Sequence, residues 1–288
     1  MRRAERGGPL LETLSRAEPP TGRVVLVHPG AVSVTEYRTL VSALPVGTDT
    51  QVLNLERVPA YFQAALSAEP PRTSVDELAA SCVGALRGKG LLSRPWTLVG
   101  WSFGGVVGHA LTSSLRQEER PDRLVLLDSI AAVDAYAPEG DVVDRDLVIP
   151  WFAMYLGAKR GVTVEQPALR SAESVDQALE PVLYAAIKAG ALHPSTELPG
   201  LRKVFDAYLG GLSRNARLTS VHDPGPATVP LTLVRPERGL LSTPEPLGWD
   251  SLASDLRVEA SGGDHYTMLR DGAAVGHIIA SLRRTLRP

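Results

Sequence analysis

Residues 96–105, WTLVGWSFGG, constrain the fold of this chain more than any other stretch. An apolar, β-prone run breaks at Gly100-Trp101-Ser102-Phe103-Gly104, and VVGHALTSSLRQ behind it has the pattern of a helix. Strand, sharp turn, helix is the context in which a G-x-S-x-G pattern has physical meaning. The turn forces its serine into a strained backbone conformation, and glycines on either side let strand and helix pass close to it. Ser102 is therefore expected at the carboxyl edge of a sheet, where the free N–H groups of the following helix favour negative charge. An ordinary glycine turn would share the letters but not these flanks.

The neighbouring segments repeat the alternation. RVVLVHPG and QVLNLE read as buried strands, EYRTLVSAL as a helix, and Ser74-Val75-Asp76-Glu77 as a capping box opening another. RLVLLD follows the serine helix as a further strand. Strands alternating with helices imply a parallel sheet covered on both faces. From 131 to 228 the pattern becomes helical throughout, an inserted helical lid. Strand character then returns at VPLTLVRP and LRVEASGG, before a last helix through AAVGHIIASLRRTL. The expected organisation is a leader or linker at 1–22, a core at 23–130 and 229–288, and the lid between. The expected fold class is α/β, with a mostly parallel central sheet flanked by helices, and the strand-turn-helix setting of G-x-S-x-G resembles that of an α/β-hydrolase.

Bulk properties narrow the function. The 288 residues are 44% hydrophobic, enough for one large core. A net charge of −2 leaves no electrostatic footprint for nucleic acid or an anionic membrane. No apolar stretch is long enough to span a bilayer, and the basic N-terminus never develops a signal-type apolar run. A soluble, cytoplasmic protein is expected. The lone Cys82 reads as a buried hydrophobe.

A serine hydroxyl needs a base to take its proton, and histidine suits neutral pH. Of six histidines, His265 alone follows the final strand, in a small-residue loop, SGGDHY, able to reach the strand ends. His109 and His277 lie within helices, His193 and His222 lie in or beside the lid, and His28 ends the first core strand without a proton-transfer role. Two carboxylates compete for the task of orienting the base. Glu237 follows the penultimate strand, and Asp128 closes the apolar run RLVLLD; Asp128 is favoured because a buried carboxylate fixes the imidazole tautomer and stabilises the imidazolium. The oxyanion of an acyl-transfer intermediate needs two donors. Phe103 N–H is one, and Gly30 or Ala31, in the turn after the first core strand, supplies the other.

With these residues placed, the chain from about 24 to 286 resembles the releasing thioesterase domains of polyketide and nonribosomal peptide synthases. The resemblance rests on LVHPG with EYRTL, on VGWSFGG, RLVLLDS and VPLTLVRP with Gly248-Trp249 downstream, and on SGGDHYTMLR. It assigns Ser102, Asp128 and His265 to the family's catalytic triad. It implies an acyl or peptidyl carrier protein as partner, with the substrate delivered on a phosphopantetheine arm, no bound cofactor or metal, and no nucleic acid or membrane partner. Release would occur by hydrolysis or macrocyclisation; a homodimer stays open. One departure is Ala31-Val32 after Gly30, where the family often has more glycine. Trp151, Phe152, Met154, Tyr155, Leu156, Tyr184, Phe205 and Tyr208 are candidate cavity lining, though residues of this kind more often simply pack between lid helices, and they are not counted among the site residues. An esterase of free small molecules is the rival enzyme, and a non-catalytic binding relic the rival class.

Overall fold

The computed structural model describes residues 8–67, 69–136, 145–165 and 174–283. The short Val- and Leu-rich runs become strands of one sheet: β1 (Leu11–Ser15), β2 (Gly22–His28), β3 (Thr48–Asn54), β4 (Thr97–Trp101), β5 (Arg123–Leu127), β6 (Leu231–Arg238) and β7 (Leu256–Asp264). Their spatial order is β1-β3-β2-β4-β5-β6-β7. All pairs from β3 to β7 are parallel, and β1 is antiparallel to β3.

The edge strand corrects one expectation. Residues 1–22 were expected to be a leader, yet Leu11 pairs with Leu53, and Asn54 N–H donates to the Leu10 carbonyl at 2.8 Å. LETLS is too short and too polar to signal a strand alone; pairing with β3 supplies its hydrogen bonds, and packing decides its state. Residues 1–7 of that stretch lie outside the described residues.

Period-2 alternation splits the core into two layers. Val24, Leu26, Val99, Trp101, Val125 and Leu127 face one side, with α1 (Arg38–Ala43) and α8 (Gly272–Arg283). Val25, Val27, Leu98, Leu124 and Leu126 face the other, against α3 (Val75–Gly88) and α4 (Phe103–Ser114). Both faces of the strands are buried, which is why their sequences are continuously apolar rather than alternating. The Ser74 capping box closes in both directions, hydroxyl to Glu77 N–H and Glu77 carboxylate to Ser74 N–H, each at 3.1 Å. The piece up to Arg72, expected as a connection, contains a single-turn helix, α2 (Pro59–Ala64), started by proline at its first position.

Between β5 and β6 the chain forms α5 (Arg145–Arg160), α6 (Val175–Lys188) and α7 (Leu198–Ser220). Parts of the expected lid, 137–144 and 166–173, lie outside the described residues, as do 284–288 of the last helical pattern. α5 and α7 are tied to the loops at the carboxyl edge. Trp151 Nε1 donates to the Leu240 carbonyl at 2.7 Å, and Arg217 donates to the Ala64 carbonyl at 2.8 Å. Among the described residues no helix is long and apolar enough to cross a membrane.

His109, in α4, is buried against Trp249, and its Nε2 has no partner among the described residues. Burial, reinforced by nearby His222, pushes this imidazole down from 6.5 to about 4. As the pH falls through that window the unfolded chain binds a proton that the native site refuses, so stability is full above about 6.5 and is lost towards 4. His109→Leu removes this contribution. The loss of unfolding free energy between about pH 7.5 and 5 should shrink by about 2 kcal/mol. Urea titrations across that range test it; a slope equal to that of the wild type contradicts it.

Candidate active site

Register brings the site together before any side chain is considered. β4 and β5 pair from Thr97↔Arg123 to Trp101↔Leu127, so Ser102 and Asp128, the next residues of each strand, leave the sheet side by side. Ser102 N–H donates to the Leu127 carbonyl at 2.9 Å, and Asp128 N–H to the Val234 carbonyl at 2.9 Å, extending both ladders to the edge. This carboxyl edge is where parallel sheets place ligands.

Ser102 has φ 54° and ψ −130°, a conformation that non-glycine residues rarely adopt. Neighbouring glycines hold it there. A Cβ at Gly100 would lie 2.5 Å from the Gly105 Cα, and one at Gly104 would collide with the Val27 carbonyl oxygen. Helix α4 therefore starts directly against β2 and β4, with Phe103 at its first position.

Asp128 is fully buried and also at positive φ, 43°. Its Oδ2 accepts from His265 Nδ1 at 2.7 Å and from Leu240 N–H at 3.0 Å; its Oδ1 has no partner among the described residues. Since a carboxylate can only accept, Nδ1 carries the proton, and Nε2 is the ring atom left for other chemistry. β6 and β7 reach past the ends of β4 and β5, which is how His265 arrives: its N–H donates to the Arg238 carbonyl at 3.1 Å. Asp264 then fixes the turn, with Oδ1 accepting from the N–H groups of Tyr266 at 3.0 Å and Thr267 at 2.8 Å. Trp101 Nε1 donates to the His265 carbonyl at 2.9 Å, and its ring lies 5.0 Å from the imidazole. The residue before the serine thus anchors the backbone of His265.

The loop after β6 was legible only in part. Glu237, expected to follow the penultimate strand, lies within β6 and is exposed. The chain instead meets Asp128 two residues later, where Gly239 lets the backbone pass: a Cβ there would sit 2.8 Å from Asp128 Oδ1. Arg235 secures the loop, donating from Nη2 to the Leu241 carbonyl at 3.0 Å and from Nη1 to the carbonyls of Thr243 and of Glu245, the latter at 2.9 Å. The spacing offered no signal for Leu240, because its contribution is a backbone N–H.

The turn after β2 carries Gly30 at φ 96° and Ala31 at φ 72°. His28 shapes it from beneath. A carbonyl accepts only, so His28 Nε2 donates to the Val32 carbonyl at 3.0 Å, and Nδ1 accepts from the Tyr37 hydroxyl at 3.2 Å. Burial, opposed by the Val32 contact, pushes this ring down to about 4, so it is neutral at physiological pH and both nitrogens are committed. His109 lies against Trp249, while His193 bonds Ser195 at 2.7 Å on the surface.

Ser102, Gly30, Ala31 and His265 line one cavity of about 510 Å³, with Trp101, Tyr155, Tyr208 and Tyr266 in its wall. Tyr155 and Tyr208 were among the lining candidates. Phe152 and Phe205 lie behind them in a buried aromatic cluster, and Tyr184 is 73% exposed. Trp151 and Met154 face a different cavity, with Glu237.

Because Gly239 has no steric freedom towards Asp128, Gly239→Ala should displace the carboxylate from His265 while leaving the core untouched. A loss of about tenfold or more in kcat/KM, at least 1.4 kcal/mol of transition-state stabilisation, is expected with little change in Tm. Steady-state kinetics and a melting curve on the same preparation decide this; full activity contradicts it.

The family model described as Thioesterase domain matches residues 22–285. Among solved structures the chain is similar to AB3403, a four-domain nonribosomal peptide synthetase bound to AMP and glycine, at 24% identity and a TM-score of 0.66. That match covers 98% of this chain and 20% of the synthetase, so the chain spans about a fifth of that relative's length. It is similar to the NocB thioesterase domain, in covalent complex with a fluorophosphonate nocardicin G analogue, at 21% identity and a TM-score of 0.58, covering 96% of this chain and 100% of that one. RedJ, a thioesterase from the prodiginine pathway of Streptomyces coelicolor, matches at 17% identity with a TM-score of 0.58, covering 97% and 96% of the two chains. The fold is the α/β-hydrolase fold these structures share, and with the family model covering nearly its whole length the chain belongs to the thioesterase domain family.

Proposed function

We propose that this chain is a serine thioesterase that releases an acyl or peptidyl chain from the phosphopantetheine arm of a carrier protein. The observation that carries the reading is the buried 2.7 Å contact of His265 Nδ1 with Asp128, beside a serine held at φ 54° in the same cavity. Asp128 is fully buried, and its Oδ2 is committed to His265 Nδ1 and Leu240 N–H, an arrangement that orients the imidazole and favours a chemical role for Asp128. The family match supports thioester chemistry. A carrier-borne substrate is supported by the four-domain synthetase and by Vlm2, whose thioesterase domain binds a dodecadepsipeptide.

In this mechanism Ser102 Oγ attacks the thioester carbonyl as its proton passes to His265 Nε2. The oxyanion is met by Phe103 N–H and by an amide of the Gly30-Ala31 turn, each donor worth about 10²–10³ in rate. The C–S bond breaks, the imidazolium protonates the departing thiolate, and an acyl-serine remains. Water, or a hydroxyl or amine of the same chain, then attacks the ester as His265 takes its proton, and His265 returns that proton to Ser102. Water yields the free acid, and an internal nucleophile yields a macrocycle. Asp128 holds the tautomer throughout and stabilises the imidazolium. The helices between β5 and β6 act as a lid that limits water.

Ser102→Ala should abolish labelling by a fluorophosphonate and all turnover. Asp128→Asn should lower kcat by up to about 10⁴-fold, and Glu237→Gln by less than about tenfold, because water screens an exposed carboxylate. Kinetics of each variant on carrier-bound acyl thioesters and on free esters, with product mass spectrometry, test the proposal. A preference for free esters moves the chain to the esterases, labelling that survives in Ser102→Ala removes the nucleophile, and the reverse ranking of the two carboxylates moves the acid to β6.

A further inference from the structure

Arg214, in α7, is the least expected residue in the cavity wall. It is 6% exposed, and among the described residues no carboxylate lies within ion-pair distance of it. Its guanidinium stacks 3.5 Å from the Tyr61 ring centroid, Nη2 donates to the Tyr61 hydroxyl at 2.7 Å, and Nε donates to Asn215 Oδ1 at 3.0 Å. These partners fix its orientation, but they are neutral, and none of them forms an ion pair with it. A buried cation with no carboxylate in direct contact is costly unless something supplies one. Burial pushes its pKa down, opposed by Tyr61 and by Glu56, the one carboxylate among the lining residues.

The surroundings favour an anion. Lys159 and Lys203 are exposed and line the same cavity, so its wall carries three side-chain cations against Glu56, in a chain whose net charge is −2. Such local contrast draws anionic ligands inward. Arg214 also lies near the chemistry: the Tyr61 hydroxyl it contacts is 2.9 Å from the carbonyl of Pro29, the residue before Gly30, and the Tyr61 ring stacks on Phe103.

We propose that Arg214 is a specificity-determining residue that binds a carboxylate borne by the acyl chain, so that the substrate class is acidic acyl or peptidyl thioesters. This rests on the thioesterase reading, and its test separates the two. Half-thioesters of dicarboxylic acids of increasing length, and their methyl esters, both on N-acetylcysteamine, are titrated into the Ser102→Ala protein, whose binding is read without turnover. At one or more lengths the free carboxylate should bind about tenfold or more tighter than its ester, as a charge-assisted hydrogen bond permits. The ratio should fall towards one in Arg214→Met and persist in part in Arg214→Lys. Because the wild-type cavity on the Ser102→Ala background already gives the ratio, the test survives if Arg214→Met fails to fold. Equal binding of acid and ester at every length, or a ratio unmoved by Arg214→Met, overturns the proposal. So does an Arg214-dependent gain seen when N-acetylcysteamine is replaced by phosphopantetheine but not when it is replaced by pantetheine, which would assign the site to the arm's phosphate. Turnover by the wild-type protein reports separately on the thioesterase reading.

Discussion

The contact of backbone on backbone at Gly100, Gly104 and Gly105 is the constraint on which the rest of the site depends. A Cβ at Gly105 would strike Ser129 Oγ, one at Gly100 would meet the helix backbone, and one at Gly104 the Val27 carbonyl. Only with all three open can α4 start against β2, β4 and the end of β5 at once. That closeness throws Ser102 to positive φ, aims the first N–H groups of α4 at the sheet edge, and leaves Ser129 Oγ without a partner among the described residues. The nucleophile's position is therefore a property of the packing of the whole central sheet rather than of the turn alone.

The second half of the site depends on strands that overrun their neighbours. β5 ends opposite Val234, but β6 and β7 continue as a two-stranded ribbon through Pro236↔Ser261 and, after an irregularity, Arg238↔Asp264. The ribbon carries His265 and the Gly239-Leu240 loop beyond the edge, from where both return onto Asp128. Arg235 and the Asp264 turn hold the two sides in place. The acid thus receives two hydrogen bonds at its Oδ2, one from the end of each arm of the ribbon.

What could be read in advance follows from which interactions leave a mark on residue type. A serine between glycines at the end of an apolar run, an aspartate closing RLVLLD, and a histidine in SGGDHY are visible because their chemistry requires those side chains. Leu240 was not visible because any residue has its N–H. The edge strand escaped because LETLS owes its state to β3, not to its own pattern. Arg214 escaped for a third reason: in an amphipathic helix that also carries Arg202, Lys203 and Arg217, a cation at one position looks like solvent-facing charge. Its burial comes from Tyr61, more than 150 positions earlier, folding beneath it.

Backbone strain in this chain is not spread evenly. Among the described residues the non-glycine positions at positive φ are Ala31, Ser102, Asp128 and Leu247, and three of the four stand at the carboxyl edge. Each costs of order 1–3 kcal/mol and persists only where the surroundings over-determine it. The surroundings here are the two apolar layers, in which nearly every Val and Leu of the central strands is fully buried at roughly 1.5–3 kcal/mol apiece. A core of that size tolerates the strained Ala31 and Ser102 and the buried Arg214 in the wall of one cavity, with the strained Asp128 behind His265. The same core would have no use for them if the cavity did nothing, since replacing each by a relaxed or apolar residue would make the protein more stable.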